Sequence, residues 1–211
     1  DPLAQEFEKA NARAETTSRM ARKGGDYPLL SGGDTNFNSL FVERAQSIIA
    51  PGGIVGLLIP SGIATETSSQ EFFSQLIEGH AASCYLDFFN KRADGPLFFP
   101  DVYYRFKFSV LVFSGGEKTF DECRFATFVR DIAELNDPSK VFSMGVDHFR
   151  HVNPNSKTAP VYRAARDREI ATEIYERFPV LVNRSSGTEV KAWPVKYTTL
   201  YHMANSSDQF R

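Results

Sequence analysis

Residues 51 to 60 read PGGIVGLLIP, and this stretch narrows the choice of fold more than any other. From Ile54 to Pro60 there is no polar side chain, and Pro51-Gly52-Gly53 marks off the run at its start. A strand with one wet face alternates apolar and polar residues, whereas a strand covered on both faces reads as a continuous apolar run. The pattern therefore predicts a central strand of an α/β sheet, covered on both faces by helices. What precedes it agrees. From Asn36, the residues Phe37, Leu40, Phe41, Ala45, Ile48 and Ile49 have helical spacing, and Pro51-Gly52-Gly53 stops that helix before the strand begins.

The rest of the chain extends the same pattern. Leu3, Phe7, Ala10, Ala14 and Met20 give residues 3 to 23 a loosely amphipathic helix ended by Gly24-Gly25. The linker DYPLLSGGDTN follows, in which Asp34 is the expected cap of the next helix. Residues 66 to 79 predict a helix with a Ser or Thr cap and an inward stripe of Phe72, Phe73, Leu76 and Ile77. SCYLDFF and FKFSVLVF read as an antiparallel pair at the end of the sheet, and ECRFATFVR as one more strand. DIAELND predicts a short helix, and RDREIATEIYERF a longer one with Ile170, Ile174, Tyr175 and Phe178 on one face. Three regions follow from this: residues 1–35, a helix and linker; 36–135, the sheet; and 136–211, a mainly helical connector.

Bulk composition sets limits on function. The 211 residues carry a net charge of −2, with 42% hydrophobic and 24% charged side chains, which is ordinary globular composition. With a pI near 6.1 the chain has no overall basic field, so contact with nucleic acid has to come from a local patch. Cys84 and Cys123 lie far apart in apolar contexts, which suits thiols in a reducing compartment, and a cytoplasmic location is expected. No run of about 18 apolar residues and no charged-then-apolar leader is present. The chain starts at Asp1 and stops at Phe210-Arg211 after the aromatic segment WPVKYTTLYHM, so it reads as a piece of something longer.

Between the paired strands lies NKRADGPLFFPDVYY, which sets Phe98, Phe99, Tyr103 and Tyr104 about a proline turn. Loops favour small polar residues; a ring there either packs beneath the loop or presents itself to a flat ligand. Three other motifs carry the simpler reading. Asp147-His148 and His151 lack a further ligand close in sequence to complete a metal site. Ser61-Gly62 lacks the Gly-x-Ser-x-Gly frame of a nucleophile elbow. Asn153-Pro154-Asn155 follows no buried strand.

Taken in order, DYPLLSGGDTNFNSLFVERAQSIIAPGGIVGLLIPSGIAT, FFPDVYYRFKFSVLVF, NPNSKTAPVYRAARDREIATEIYERFPVL and WPVKYTTLYHMAN resemble the single-chain type IIG restriction–modification enzymes and their phage-defence relatives. These are S-adenosylmethionine-dependent DNA adenine methyltransferases of class I. The resemblance runs from about residue 24 to the end. It implies the C-terminal half of a class I, Rossmann-like methyltransferase sheet, with IVGLLIP as its fifth strand, antiparallel last strands, and a connector toward a target-recognition region. It also implies double-stranded DNA with a flipped adenine as partner, because an exocyclic amine cannot be methylated while its base is stacked. Phe99 matches the family's base-stacking ring, with Phe98 and Tyr104 as alternates, and Lys91, Arg92, Arg105 and Lys107 suit the flanking phosphates.

The departures from that family are equally informative. Its glycine-rich turn, its acidic residue after the second strand and its Asn-Pro-Pro-aromatic loop are absent, and Asn153-Pro154-Asn155 does not replace the last. No catalytic residue and no cofactor-binding residue is therefore expected in this chain. S-adenosylmethionine belongs to the full-length enzyme, and this chain by itself is expected to be inactive. Half a sheet would leave an open strand edge, so self-association is expected. The alternative is a non-enzymatic DNA-binding or scaffold module that kept half of a Rossmann-like sheet.

Overall fold

The computed structural model describes residues 1–32, 36–196, 198, 200–203 and 205–209. It is an α/β structure around a mixed five-stranded sheet of order β1-β3-β2-β4-β5. The strands are β1 (Ile54–Pro60), β2 (Ala82–Phe89), β3 (Lys107–Ser114), β4 (Glu122–Val129) and β5 (Phe142–Gly145). β3 lies between β1 and β2 and runs antiparallel to both, β2 and β4 are parallel, and β5 is antiparallel to β4. The C-terminal ends of β1, β2 and β4 thus meet at one end of the sheet, together with the start of β3. Open α/β sheets bind ligands outside these carboxyl ends.

Among the described residues the α-helices are α1 (Pro2–Lys23), α2 (Phe37–Ile48), α3 (Gly62–Thr65), α4 (Gln70–Glu78), α5 (Val146–Val152) and α6 (Ala165–Arg177). α4 forms because Phe72, Phe73, Leu76 and Ile77 make one apolar stripe, and all four are buried as expected. They pack with Tyr85, Leu111, Phe113, Phe125 and Phe149 in the larger core. On the opposite face of the sheet a smaller core joins Phe88, Ala126 and Val129 to Phe98, Phe108, Leu135 and Val141.

Several expectations need correction. β1 is an edge strand rather than a central one, and its second face is open: Ile54 and Leu58 are 50% and 54% exposed. Val55, Leu57 and Ile59 face the core, while their neighbours have no cover among the described residues. A continuous apolar run states that both faces are apolar; it does not supply the element that covers them. The cap of α2 is Asn36, whose side chain accepts from the Ser39 N–H, while Asp34 lies outside the described residues. Ser69 stands at the N-cap of α4 without a side-chain capping bond.

The sheet also outlasts residue 135. β5 pairs with β4, and Phe149 of α5 is fully buried, so residues 142–152 belong to the sheet layer rather than to a connector. VFSMG is too short to announce itself as a strand, and pairing with β4 decides it. In α6 the expected inward face is only partly covered: Tyr175 is half-buried, but Ile170, Ile174 and, just past the helix, Phe178 are exposed, and the helix meets α5 through Thr172. Beyond it, β6 (Val182–Asn183) and β7 (Val190–Lys191) form a small antiparallel ladder within the mainly helical connector.

Candidate nucleic-acid interface

Asn90 ends β2 and organises the aromatic loop. It is 1% exposed, and its side chain is shared between three backbone groups. Its Nδ2 donates to the carbonyls of Phe99 (3.0 Å) and Val102 (2.8 Å), and its Oδ1 accepts from the Phe99 N–H (2.8 Å). Its backbone accepts from the Phe98 N–H and donates to the Phe106 carbonyl. A buried amide satisfied this fully fixes a loop that would otherwise depend on solvent for its backbone bonds.

That clamp sorts the rings into two groups. Phe98 and Phe99 lie half-buried against Phe108, perpendicular to it at centroid distances of 5.4 and 5.0 Å. Tyr103 and Tyr104 are 55% and 39% exposed, and Phe106, the first residue of the expected strand FKFSVLVF, lies before β3 and is 61% exposed. Of the four predicted cations, Lys91 and Arg105 sit over the Tyr104 ring at 5.9 and 5.4 Å, and Arg105 Nε donates to the Tyr104 hydroxyl. Arg92 lies over Phe98 and forms an ion pair with Asp131 at 2.6 Å. The Ala133 N–H, which donates to the Asp131 carboxyl, and then this pairing with Arg92 hold that carboxyl below its ordinary range.

Lys107 has a different setting. Its Nζ is 2.5 Å from Asp87, a carboxylate with 2% side-chain exposure. Asp87 also accepts from the Ser61 hydroxyl and the Phe128 N–H, while Tyr85 donates to the Ser61 carbonyl. This buried polar group ties the ends of β1, β2, β3 and β4 together, and it neutralises Lys107 in place. Asp87 is not legible as a site residue from the sequence, since a single acidic residue in an apolar strand carries no spacing signal. Nor are Arg130 and Arg163, which lie over the rings of Phe89 and Phe128 at 5.1 and 5.3 Å.

The remaining motifs are structural. His148 Nε2 and Nδ1 lie 3.1 and 3.2 Å from the hydroxyls of Tyr162 and Thr172, and burial, with Arg168 and His151 nearby, lowers its pKa to about 4. Among the described residues no group of three potential metal ligands is present. Asn153 and Asn155 bind backbone and hydroxyl groups of their own turn and of β6. Burial pushes both cysteine thiols up.

A methyl-donor cradle would need a glycine-rich turn from a strand into an α-helix, and the described residues make such strand-to-helix turns at Ser61-Gly62 and at Gly145. At Ser61-Gly62 the side chain of Glu66 fills the space a Cβ on Gly62 would need, and the serine hydroxyl is spent on Asp87. At Gly145 the helix opens with Asp147 in its first turn. Neither turn is glycine-rich, and neither offers a backbone cradle for S-adenosylmethionine.

The fold and this rim together define an α/β sheet with a basic, aromatic surface outside the carboxyl ends of three strands. No family model matches the sequence, and no curated protein matches it. Among solved structures, the cryo-EM structure of the DrdV–DNA complex is similar, at 14% identity and a TM-score of 0.38. The likeness covers 64% of this chain and 14% of that one. Among the described residues no helix is long and apolar enough to cross a membrane.

Proposed function

We propose that this chain is the DNA-contacting C-terminal part of a DNA adenine methyltransferase domain, in which Phe99 stacks on the extruded adenine and the rim holds the strand beside it. The observation that carries the reading is the Asn90 clamp, which binds both the N–H and the carbonyl of Phe99 and so positions that ring at the carboxyl end of β2. Preorganised rings suit base stacking, worth roughly 1–3 kcal/mol per base. Lys91 and Arg105, with no carboxylate partner among the described residues, supply cationic flanks. The sequence resemblance supports the chemical class. The methyl group would come from S-adenosylmethionine bound by residues outside those described here, and this chain's own part is to bind, orient and stack.

The test is fluorescence anisotropy with a labelled 20-base-pair duplex carrying one unpaired adenine, against the fully paired duplex. The chain is expected to prefer the unpaired adenine. Phe99→Ala should remove about five- to hundredfold of that preference, the equivalent of roughly 1–3 kcal/mol. Equal binding of both duplexes would count against base capture. If Tyr104→Ala, and not Phe99→Ala, removed the preference, the exposed tyrosine would be the stacking ring.

A further inference from the structure

β4 carries an irregularity that the sheet itself does not need. In its pairing with β2, Leu86 faces Ala126 but Phe88 faces Val129, so Thr127 and Phe128 together oppose Asp87. Phe128 is the extra residue of this bulge, and its φ is +60°. A bulky aromatic rarely adopts that left-handed conformation, which costs of the order of 1–3 kcal/mol, and bulges are common beside functional sites because they re-aim a side chain.

The re-aimed ring has a definite setting. Phe128 lies 5.9 Å from Phe89, and the Lys107 ammonium sits over both, at 4.8 and 5.4 Å. Arg163 covers Phe128 and Arg130 covers Phe89. Lys107 is neutralised by Asp87, but both arginines are exposed, and no ion pair engages either guanidinium among the described residues. Asp167 accepts from the backbone N–H of Arg163, and Glu134 from that of Arg130, rather than from either guanidinium. Two planar donors on aromatic faces keep less conformational freedom than free side chains, and each presents a fork that matches a phosphate.

We infer that Arg130 and Arg163, held on the Phe89–Phe128 pair by the β4 bulge, form a second anion grip that binds the phosphodiester backbone of the DNA strand beside the aromatic loop. The inference rests on the DNA-contact reading above and assigns that reading two contacts it did not contain. The Ala93 N–H donates to the Arg130 carbonyl, so the grip and the loop are continuous.

The experiment measures binding of a labelled 20-base-pair duplex as a function of salt for the wild-type chain and for R130Q/R163Q, R130K/R163K and the two single glutamine variants. Losing two phosphate contacts should flatten the slope of log K against log[salt] by about 1.8, and each single variant by about 0.9. Affinity at 0.1 M salt should fall about tenfold in R130Q/R163Q, with an unchanged melting temperature, while R130K/R163K keeps the slope. An unchanged slope in a folded R130Q/R163Q, with Phe99→Ala still losing its unpaired-adenine preference, overturns the grip and leaves the base-capture reading standing. Absence of DNA binding by the wild-type chain overturns both. Displacement of the duplex by micromolar ATP, abolished in R130Q/R163Q, would assign the grip to free nucleotide phosphates and overturn the DNA assignment.

Discussion

Asn90 is the single residue on which the aromatic loop depends. Replacing it by Ala leaves the Phe99 N–H and the carbonyls of Phe99 and Val102 without their partners, and each unsatisfied buried group costs about 1–3 kcal/mol. Asn90→Ala is therefore expected to lose about 2–4 kcal/mol in thermal or urea unfolding and to make the loop at 91–106 a preferred site of proteolysis. An unchanged unfolding midpoint would show that water replaces the amide freely. Phe99→Ala should cost less, about 1–3 kcal/mol, because the ring is only half-buried against Phe108. Tyr104→Ala, at an exposed position, should stay within about 0.5 kcal/mol of the parent chain. Binding is therefore compared per folded molecule: a mutant that stays folded at the assay temperature and has lost its DNA preference has lost a contact to the base.

At the scale of elements, the seam joining α4, α5 and α6 carries the pH dependence. Glu78 on α4 pairs with Arg150 at 2.6 Å and with Lys157 at 2.8 Å, which lowers its pKa to about 2. A carboxylate whose pKa is depressed by folding stabilises the fold above the unfolded value and loses that contribution as pH falls through the folded value. His148, between α5 and α6, is lowered to about 4 and so acts in the same direction, disfavouring the fold as pH drops below about 6.5. Melting temperatures should accordingly begin to fall below about pH 6.5 and fall further from about pH 4.5 toward pH 2. Glu78→Gln should lower the melting temperature at pH 7 by a few degrees at most, because the pair is partly exposed and screened. The difference from wild type should shrink at pH 3. A constant difference across that range would mean that Glu78 acts through packing rather than charge.

Considered as a whole, the molecule leaves one long edge open. The Gly53 carbonyl accepts from the Gly115 N–H, so along β1 the backbone groups of Val55, Leu57 and Ile59 turn toward β3, and those of Ile54, Gly56 and Leu58 turn outward. The same Ile54 and Leu58 expose their side chains, and α1 buries none of its residues. An open, flat, apolar edge favours pairing with another chain. Light scattering at micromolar concentration is expected to show dimers or larger species for the parent chain and a monomer for Leu58→Lys. A parent chain that is monomeric at 100 µM would remove the edge from consideration. Calorimetry should detect no micromolar binding of S-adenosylmethionine to the chain, and such binding would overturn the proposed division between donor site and DNA rim.

Much of the fold was legible because it rests on local spacing. The stripe Phe72, Phe73, Leu76 and Ile77 and the short apolar runs IVGLLIP, SCYLDFF and FKFSVLVF each state a secondary structure and an apolar surface. They also placed β2 and β3 beside each other as an antiparallel pair, but in the middle of the sheet rather than at its end, because β1 pairs beyond β3 and β4 beyond β2. What covers an apolar surface is a property of distant segments, and there the local signal stops. β1 lies at an edge because nothing among the described residues pairs beyond it; β5 exists because β4 offers it an edge; α6 turns Thr172 rather than its isoleucines toward α5. The loop of four rings was visible in the sequence, but only the packing divided it into half-buried Phe98 and Phe99 and exposed Tyr103 and Tyr104. The arginines on Phe89 and Phe128 were hidden altogether: residues 89, 107, 128, 130 and 163 come together only when β2, β3 and β4 align and one bulge turns a ring out of the strand's alternation.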